Sequence, residues 1–187
     1  QGHPVLLARI NQALAFLENS GFMADLHARG KDVVSIYDDH DFLGNNRYGG
    51  DVSDDWPYHA AASVIRAHSL LRSFPEVIAD RTAVTGISWG GYTTCLVASL
   101  DDRFKAAVPV YGCGFLHEGE SVQKPSIDKL DDRRQQWVDA YDPGSLLPRC
   151  RVPILFVNGT NDIHYPLDSY MKSYGVVPGP KQLCVTV

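Results

Sequence analysis

Thr82-Ala83-Val84-Thr85-Gly86-Ile87-Ser88-Trp89-Gly90-Gly91-Tyr92-Thr93-Thr94-Cys95 decides how this chain folds. Ala83 to Ile87 is a short apolar run, and Tyr92 to Leu100 suits a helix. Between them, Gly86-Ile87-Ser88-Trp89-Gly90 is a Gly-x-Ser-x-Gly pattern. Strand, sharp turn and helix around that pattern make a nucleophile elbow, in which strained backbone presents the serine hydroxyl above a sheet. Gly86 and Gly90 lack a Cβ, so strand and helix are expected to pass close to each other. The first helical amides then face the place where an oxyanion would form beside Ser88.

Outward from the elbow, strand and helix patterns alternate. After Pro4, the residues Val5, Leu6, Ile10, Ala13, Leu14 and Leu17 recur at helical spacing, and Gly21 is a stop. Asp32 to Tyr37 is rich in β-branched residues and reads as a strand. Asp55 and Pro57 open a helix with Ala61, Val64, Ile65, His68 and Leu71 on one face, closed by Pro75. Phe104 to Tyr111 and Ile154 to Asn158 read as strands, Pro166 to Tyr174 as a helix, and Gln182 to Val187 as a last strand. Residues 115–150 are polar and proline-containing, an insertion after a core strand with one amphipathic helix near Ile127–Tyr141. Near-continuous apolar strands alternating with helices predict one α/β domain over 1–187, a mostly parallel sheet with helices on both faces.

Composition narrows the partners. A length of 187 residues, 44% apolar and 21% charged, describes one globular domain. The net charge of −5 argues against nucleic acid or an anionic membrane surface as partner. No apolar run reaches the length of a membrane-spanning helix. The 4 cysteines form no Cys-x-x-Cys pair, so they read as thiols rather than zinc ligands, Cys95 in a helix and Cys184 in a buried strand. Asp38-Asp39-His40-Asp41 offers metal-binding residue types, but contiguous side chains on an extended loop point apart, and a solvated acidic loop is the reading. No metal or cofactor is expected.

A serine hydroxyl needs a base, usually histidine, and the base needs an orienting carboxylate. In sheets of this type, functional groups gather at the C-terminal ends of strands. The strand ending at Asn158 runs into Gly159-Thr160-Asn161-Asp162, so Asp162 is the candidate acid and Asp142 the fallback. An Asx turn, which Asn161 could equally make, is the competing reading of Asp162. His164 is too near Asp162 along the chain to reach between it and Ser88. The chain order Ser, Asp, His therefore leads to the expectation of a base beyond Val187. His59 and His68 read as packing or surface residues. The backbone N–H of Trp89 is one candidate oxyanion donor, and an amide of Gly2 or His3 the second. Tyr92, Tyr111 and Phe115 are candidates for an apolar substrate pocket, with core packing as the alternative at each.

These residues carry a resemblance. Ile87-Ser88-Trp89-Gly90-Gly91-Tyr92, followed by Asp101-Asp102-Arg103-Phe104-Lys105-Ala106-Ala107-Val108, is similar to the catalytic domain of prolyl-oligopeptidase-type and acetyl-xylan-esterase-type α/β-hydrolases. Asn158-Gly159-Thr160-Asn161-Asp162 with Pro166 resembles the acid loop of that family, which implies Asp162 as the acid. Ala28-Arg29-Gly30-Lys31-Asp32-Val33-Val34 resembles its Ala-x-Gly-Tyr-x-Val strand start, with Lys31 in place of the aromatic. The resemblance implies an α/β-hydrolase domain without its early strands and without its histidine loop.

The expected activity is that of a serine hydrolase acting on a small-molecule ester or a peptide through an acyl-enzyme, with ester cleavage favoured and little turnover by this polypeptide alone. A hydrolase-fold protein that binds a ligand or partner without turnover is the alternative. A flavodoxin-like or Rossmann domain is disfavoured, because no Gly-x-Gly-x-x-Gly follows a strand. An exposed sheet edge is expected to favour self-association.

Overall fold

The computed structural model describes residues 55–187. The expected helix after Pro4, the strand Asp32–Tyr37, the loop Asp38–Asp41, Gly2 and His3 lie outside the described residues. Within them the order is α1 (Trp56–Arg72), β1 (Ala83–Ile87), α2 (Trp89–Leu100), β2 (Ala106–Val110), α3 (Lys124–Asp128), α4 (Arg134–Tyr141), α5 (Pro143–Leu146), β3 (Ile154–Gly159), α6 (Leu167–Val176) and β4 (Lys181–Thr186).

The four strands form one parallel sheet in the order β1-β2-β3-β4. Ile87 pairs with Val110 and Val110 with Val157, so β1 and β2 end at one level and β3 runs two residues further, to Gly159. Every strand after β1 is reached through helical crossovers, as parallel pairing requires. β3 is the most deeply covered: Ile154, Phe156 and Asn158 are buried. On β1, by contrast, Ala83, Thr85 and Ile87 alternate outward and are exposed. Cover on both faces is therefore not seen at β1 among the described residues.

Helix α2 packs on β1 and β2 and is apolar around most of its circumference. Tyr92, Cys95, Leu96, Val97 and Ala98 are all buried on it. Each large side chain among them contributes roughly 1.5–3 kcal/mol by leaving water. Thr93, Thr94 and Ser99 keep their hydroxyls satisfied by donating to the carbonyls of Trp89, Gly90 and Cys95, one turn back.

The Asp101-x-Arg103-Phe104 segment ties the floor of the sheet together. Asp101 receives Arg103 Nε and Nη2, each at 2.7 Å, and His68 Nδ1 at 2.8 Å. His68 Nε2 meets Thr82 Oγ1 at 2.7 Å, and its ring stacks on Phe104 at 3.7 Å between centroids. One buried imidazole thus joins α1, the end of α2 and the start of β1. Burial would raise the Asp101 pKa, but the bonds from Arg103 and His68 outweigh it and hold the carboxyl well below its usual range.

Several sequence expectations change in detail. The stretch Ile127–Tyr141 is not one amphipathic helix but is divided between α3 and α4. Asp131 sits at φ 51°, a left-handed conformation that ends α3 and its following turn before α4 begins. The segment 115–150 is also part of the core, since Leu116, Ile127, Leu130, Trp137, Val138 and Leu147 are buried. Asp55 stands at the N-cap of α1 with Pro57 in its first turn, yet its side chain makes no capping bond to the helix. Cys95, Cys113 and Cys150 are buried thiols, but Cys184 is exposed on β4, the outer strand among the described residues.

Candidate active site

Ser88 occupies the hinge between β1 and α2 with φ 58° and ψ −121°. An L-residue is held there only by surrounding structure, at a cost of about 1–3 kcal/mol. Two backbone bonds impose it: Ser88 N–H donates to the Val110 carbonyl at 2.9 Å, and the Ser88 carbonyl accepts from Tyr92 N–H at 2.9 Å. Ser88 is exposed. A Cβ on Gly86 would overlap the Gly90 backbone, so the missing side chain at Gly86 is what lets strand and helix approach. At Gly90 a Cβ would meet open space. The sequence expectation that both glycines serve the close approach therefore holds for Gly86 alone.

Trp89 is the first residue of α2, where helical amides point out of the N-terminal end. Its indole is half-buried and meets Trp56, Tyr92 and Tyr165 edge-on, with centroids 5.2, 5.0 and 6.3 Å away. This aromatic cluster underlies the serine.

The loop that carries Asp162 rises from the end of β3. Asp162 Oδ1 accepts the backbone N–H groups of His164 at 2.8 Å and Tyr165 at 3.0 Å. That is an Asx-type turn, and it fixes the carboxylate through one oxygen. The β1 and β3 ends are two strand spacings apart, about 10 Å. Tyr111, at the end of β2, lies between them; its N–H donates to the Val157 carbonyl at 2.9 Å, and its ring lies against Gly159. Tyr111 is 38% exposed at φ 49°.

Of the other two pocket candidates, Tyr92 is placed differently and Phe115 is half-buried. Tyr92 is completely buried, and its hydroxyl donates to the Tyr141 carbonyl at 2.6 Å, so it packs the core instead of lining a pocket. Phe115 is held by its backbone: its N–H donates to Asp142 Oδ1 at 2.7 Å, and its carbonyl accepts from Ser169.

Asp142, the fallback acid, is fully buried. Its Oδ1 accepts Phe115 N–H and Gly144 N–H, both at 2.7 Å. Its Oδ2 accepts Leu116 N–H at 3.1 Å and lies 3.0 Å from His117 Nδ1. Asp142 is thus a structural clamp on residues 115–144. The rings of His68 and His117 are committed to Asp101 and Asp142. His164 is exposed and gives Asp162 its backbone N–H. Burial pushes the Cys95 and Cys113 thiols well above their usual range, which leaves them protonated and poor nucleophiles.

Sequence reading missed Tyr165 and Gln123. Tyr165 is 1% exposed, and its hydroxyl makes no hydrogen bond within ordinary limits. Its backbone is fixed at both ends, by N–H to Asp162 and by its carbonyl accepting Asn158 Nδ2 at 2.8 Å. Burial raises the phenol pKa far above its usual range, and the neighbouring Gln123 and Ser88 side chains offset this only in part. The available signal was a tyrosine in the acid loop, directly before Pro166.

Residues 10–174 match the dienelactone hydrolase family, and the chain belongs to that family. Among curated proteins nothing matches. Among solved structures, an acetyl xylan esterase from Paenibacillus sp. R4 is 24% identical, with a TM-score of 0.58 over 72% of this chain and 46% of its own. Acetyl xylan esterase 1 from Thermoanaerobacterium sp. JW/SL YS485 is 20% identical, with a TM-score of 0.62 over 77% of this chain and 53% of its own. The Pyrococcus horikoshii acylaminoacyl peptidase is 22% identical, with a TM-score of 0.58 over 68% of this chain and 23% of its own. The chain therefore spans about half the length of the two esterases. At these identities the likeness shows the fold, that of an α/β-hydrolase.

Proposed function

We propose that this member of the dienelactone hydrolase family is a serine hydrolase that cleaves carboxylic esters through an acyl-enzyme on Ser88. The observation that carries the reading is the Ser88 backbone, strained at φ 58° and ψ −121° with the residue exposed at a strand-to-helix hinge. Backbone strain of this kind persists where structure over-determines it, and it gathers at functional sites.

In the proposed reaction, Ser88 Oγ attacks the carbonyl carbon and gives its proton to an imidazole. The carbonyl π pair moves to oxygen, and the Trp89 N–H stabilises that oxyanion. Collapse breaks the bond to the leaving alcohol, which takes the proton back from the imidazole. Water then attacks the acyl-serine by the same route and releases the acid. Asp162 orients the imidazole, its Oδ1 being held by the turn to His164 and Tyr165. Ester substrates are placed before peptides because the two acetyl xylan esterases match 72% and 77% of this chain, against 68% for the peptidase.

A second reading, a hydrolase-fold protein that binds a ligand without turnover, is favoured by the engagement of the His68 and His117 rings elsewhere. A fluorophosphonate probe with peptide mapping on the full-length protein separates the two. Covalent labelling at Ser88, lost in Ser88→Ala, is the expected result. A folded protein that leaves Ser88 unlabelled would sink the hydrolase reading and support the binder.

A further inference from the structure

Tyr111 has features that core packing does not account for. It holds φ 49°, in the left-handed region that a bulky residue seldom enters. It is also 38% exposed. Among the described residues its ring meets no other aromatic ring, and its hydroxyl has no partner. The conformation is imposed from both sides. Tyr111 N–H is tied to the Val157 carbonyl at 2.9 Å. The next residue, Gly112, is pressed on α2, where a Cβ on it would lie 2.2 Å from the Gly91 carbonyl carbon. The chain must turn at Tyr111, and the turn lays the ring over Gly159. Its Cε1 is 3.5 Å, and its hydroxyl 3.9 Å, from the place a Cβ on Gly159 would take. Asn161 Oδ1 arrives 3.2 Å from the same place. On the other side, Ile87 pairs with Val110, so Ser88 and Tyr111 are the next residues along adjacent strands. The ring therefore bridges from the strand end beside Ser88 to the loop that carries Asp162.

The chemistry gives that position a meaning, and it rests on the reading of Ser88 as nucleophile and Asp162 as acid. The imidazole stands between those two residues and returns its proton to the leaving oxygen. The alcohol half of the ester thus departs on the Asp162 side of Ser88, and the acyl half lies on the other. The Tyr111 ring is on the Asp162 side. We propose that Tyr111 is a specificity-determining residue, its ring taking the alcohol half of the ester and favouring an alcohol carried on an aromatic ring. Contact between two rings is worth more than the area it covers, whereas an alkyl alcohol gains the area alone. A ring already fixed by its backbone also loses little freedom when the substrate arrives.

Benzyl acetate and methyl phenylacetate are isomers that carry the same ring on opposite sides of the ester, and they make the test. Tyr111→Leu keeps apolar bulk and removes the ring. In the full-length protein it is expected to lower kcat/KM for benzyl acetate about fivefold and to leave methyl phenylacetate near wild type. Tyr111→Phe restores the ring and should restore the wild-type ratio. Equal losses on the two esters, a loss confined to methyl phenylacetate, no loss on either, or a Phe variant as impaired as Leu would overturn the assignment. Contact is read without turnover in Ser88→Ala, which has no hydroxyl to react. Adding Tyr111→Leu to it should weaken benzyl acetate binding about fivefold in an NMR titration; unchanged affinity would refute the contact. If the wild type hydrolyses neither ester, the hydrolase reading fails, while the titration still decides whether Tyr111 holds the ring.

Discussion

Asp142→Asn is the sharpest probe of how the site is built. The carboxyl is fully buried and holds four donors. Asparagine keeps one oxygen, which can still accept Phe115 N–H and Gly144 N–H. Its amide nitrogen then faces Leu116 N–H and the His117 ring, donor against donor. Losing two bonds and leaving buried donors unsatisfied costs about 2–4 kcal/mol. For a chain of this size that lowers the melting temperature by about 4–16 °C. Thermal unfolding followed by circular dichroism measures it, with esterase activity read at a temperature where both forms are folded. The structure makes Asp142 a clamp, and the proposed acid is Asp162, so the folded variant should keep most of its kcat. A variant that melts within about 1 °C of wild type would refute the clamp. A folded variant with kcat down a thousandfold would refute the assignment of the acid.

Two further outcomes follow from the same reasoning. Asp162→Asn retains the Oδ1 that accepts His164 and Tyr165, so its stability should be near wild type while kcat falls about 10³–10⁴-fold; steady-state ester hydrolysis checks this, and wild-type turnover would be fatal to the role. Asp101 has a folded pKa held below its unfolded value near 3.9, so its charged form supports the fold above about pH 4 and that support fades as pH falls below it. Asp101→Asn should therefore be less stable than wild type at pH 7, with the gap closing toward pH 2.5. Urea midpoints across that range test it; a gap that stays constant contradicts the linkage.

The elbow, the parallel order of strands and the loop carrying Asp162 were legible because each rests on local chemistry. Gly86 permits one backbone contact, β-branched runs favour extended chain, and an Asp after a buried strand lands on the sheet edge. What was not legible depends on packing between distant segments. Nothing in the spacing of residues 115–150 reveals that Asp142 gathers amides from Phe115 and Leu116. The break at Asp131 is a single left-handed residue inside a helical pattern. Tyr92 looked like a pocket residue because it follows the elbow, yet helix periodicity turns it inward to Tyr141.

The hinge at Ser88 has torsions that suit the first central residue of a type II′ turn, a place where glycine sits at ease. Exchanging the serine for glycine would relax the main chain and erase the proposed nucleophile in one step. A serine at this corner therefore carries a conformational cost of about 1–3 kcal/mol that a glycine there would not.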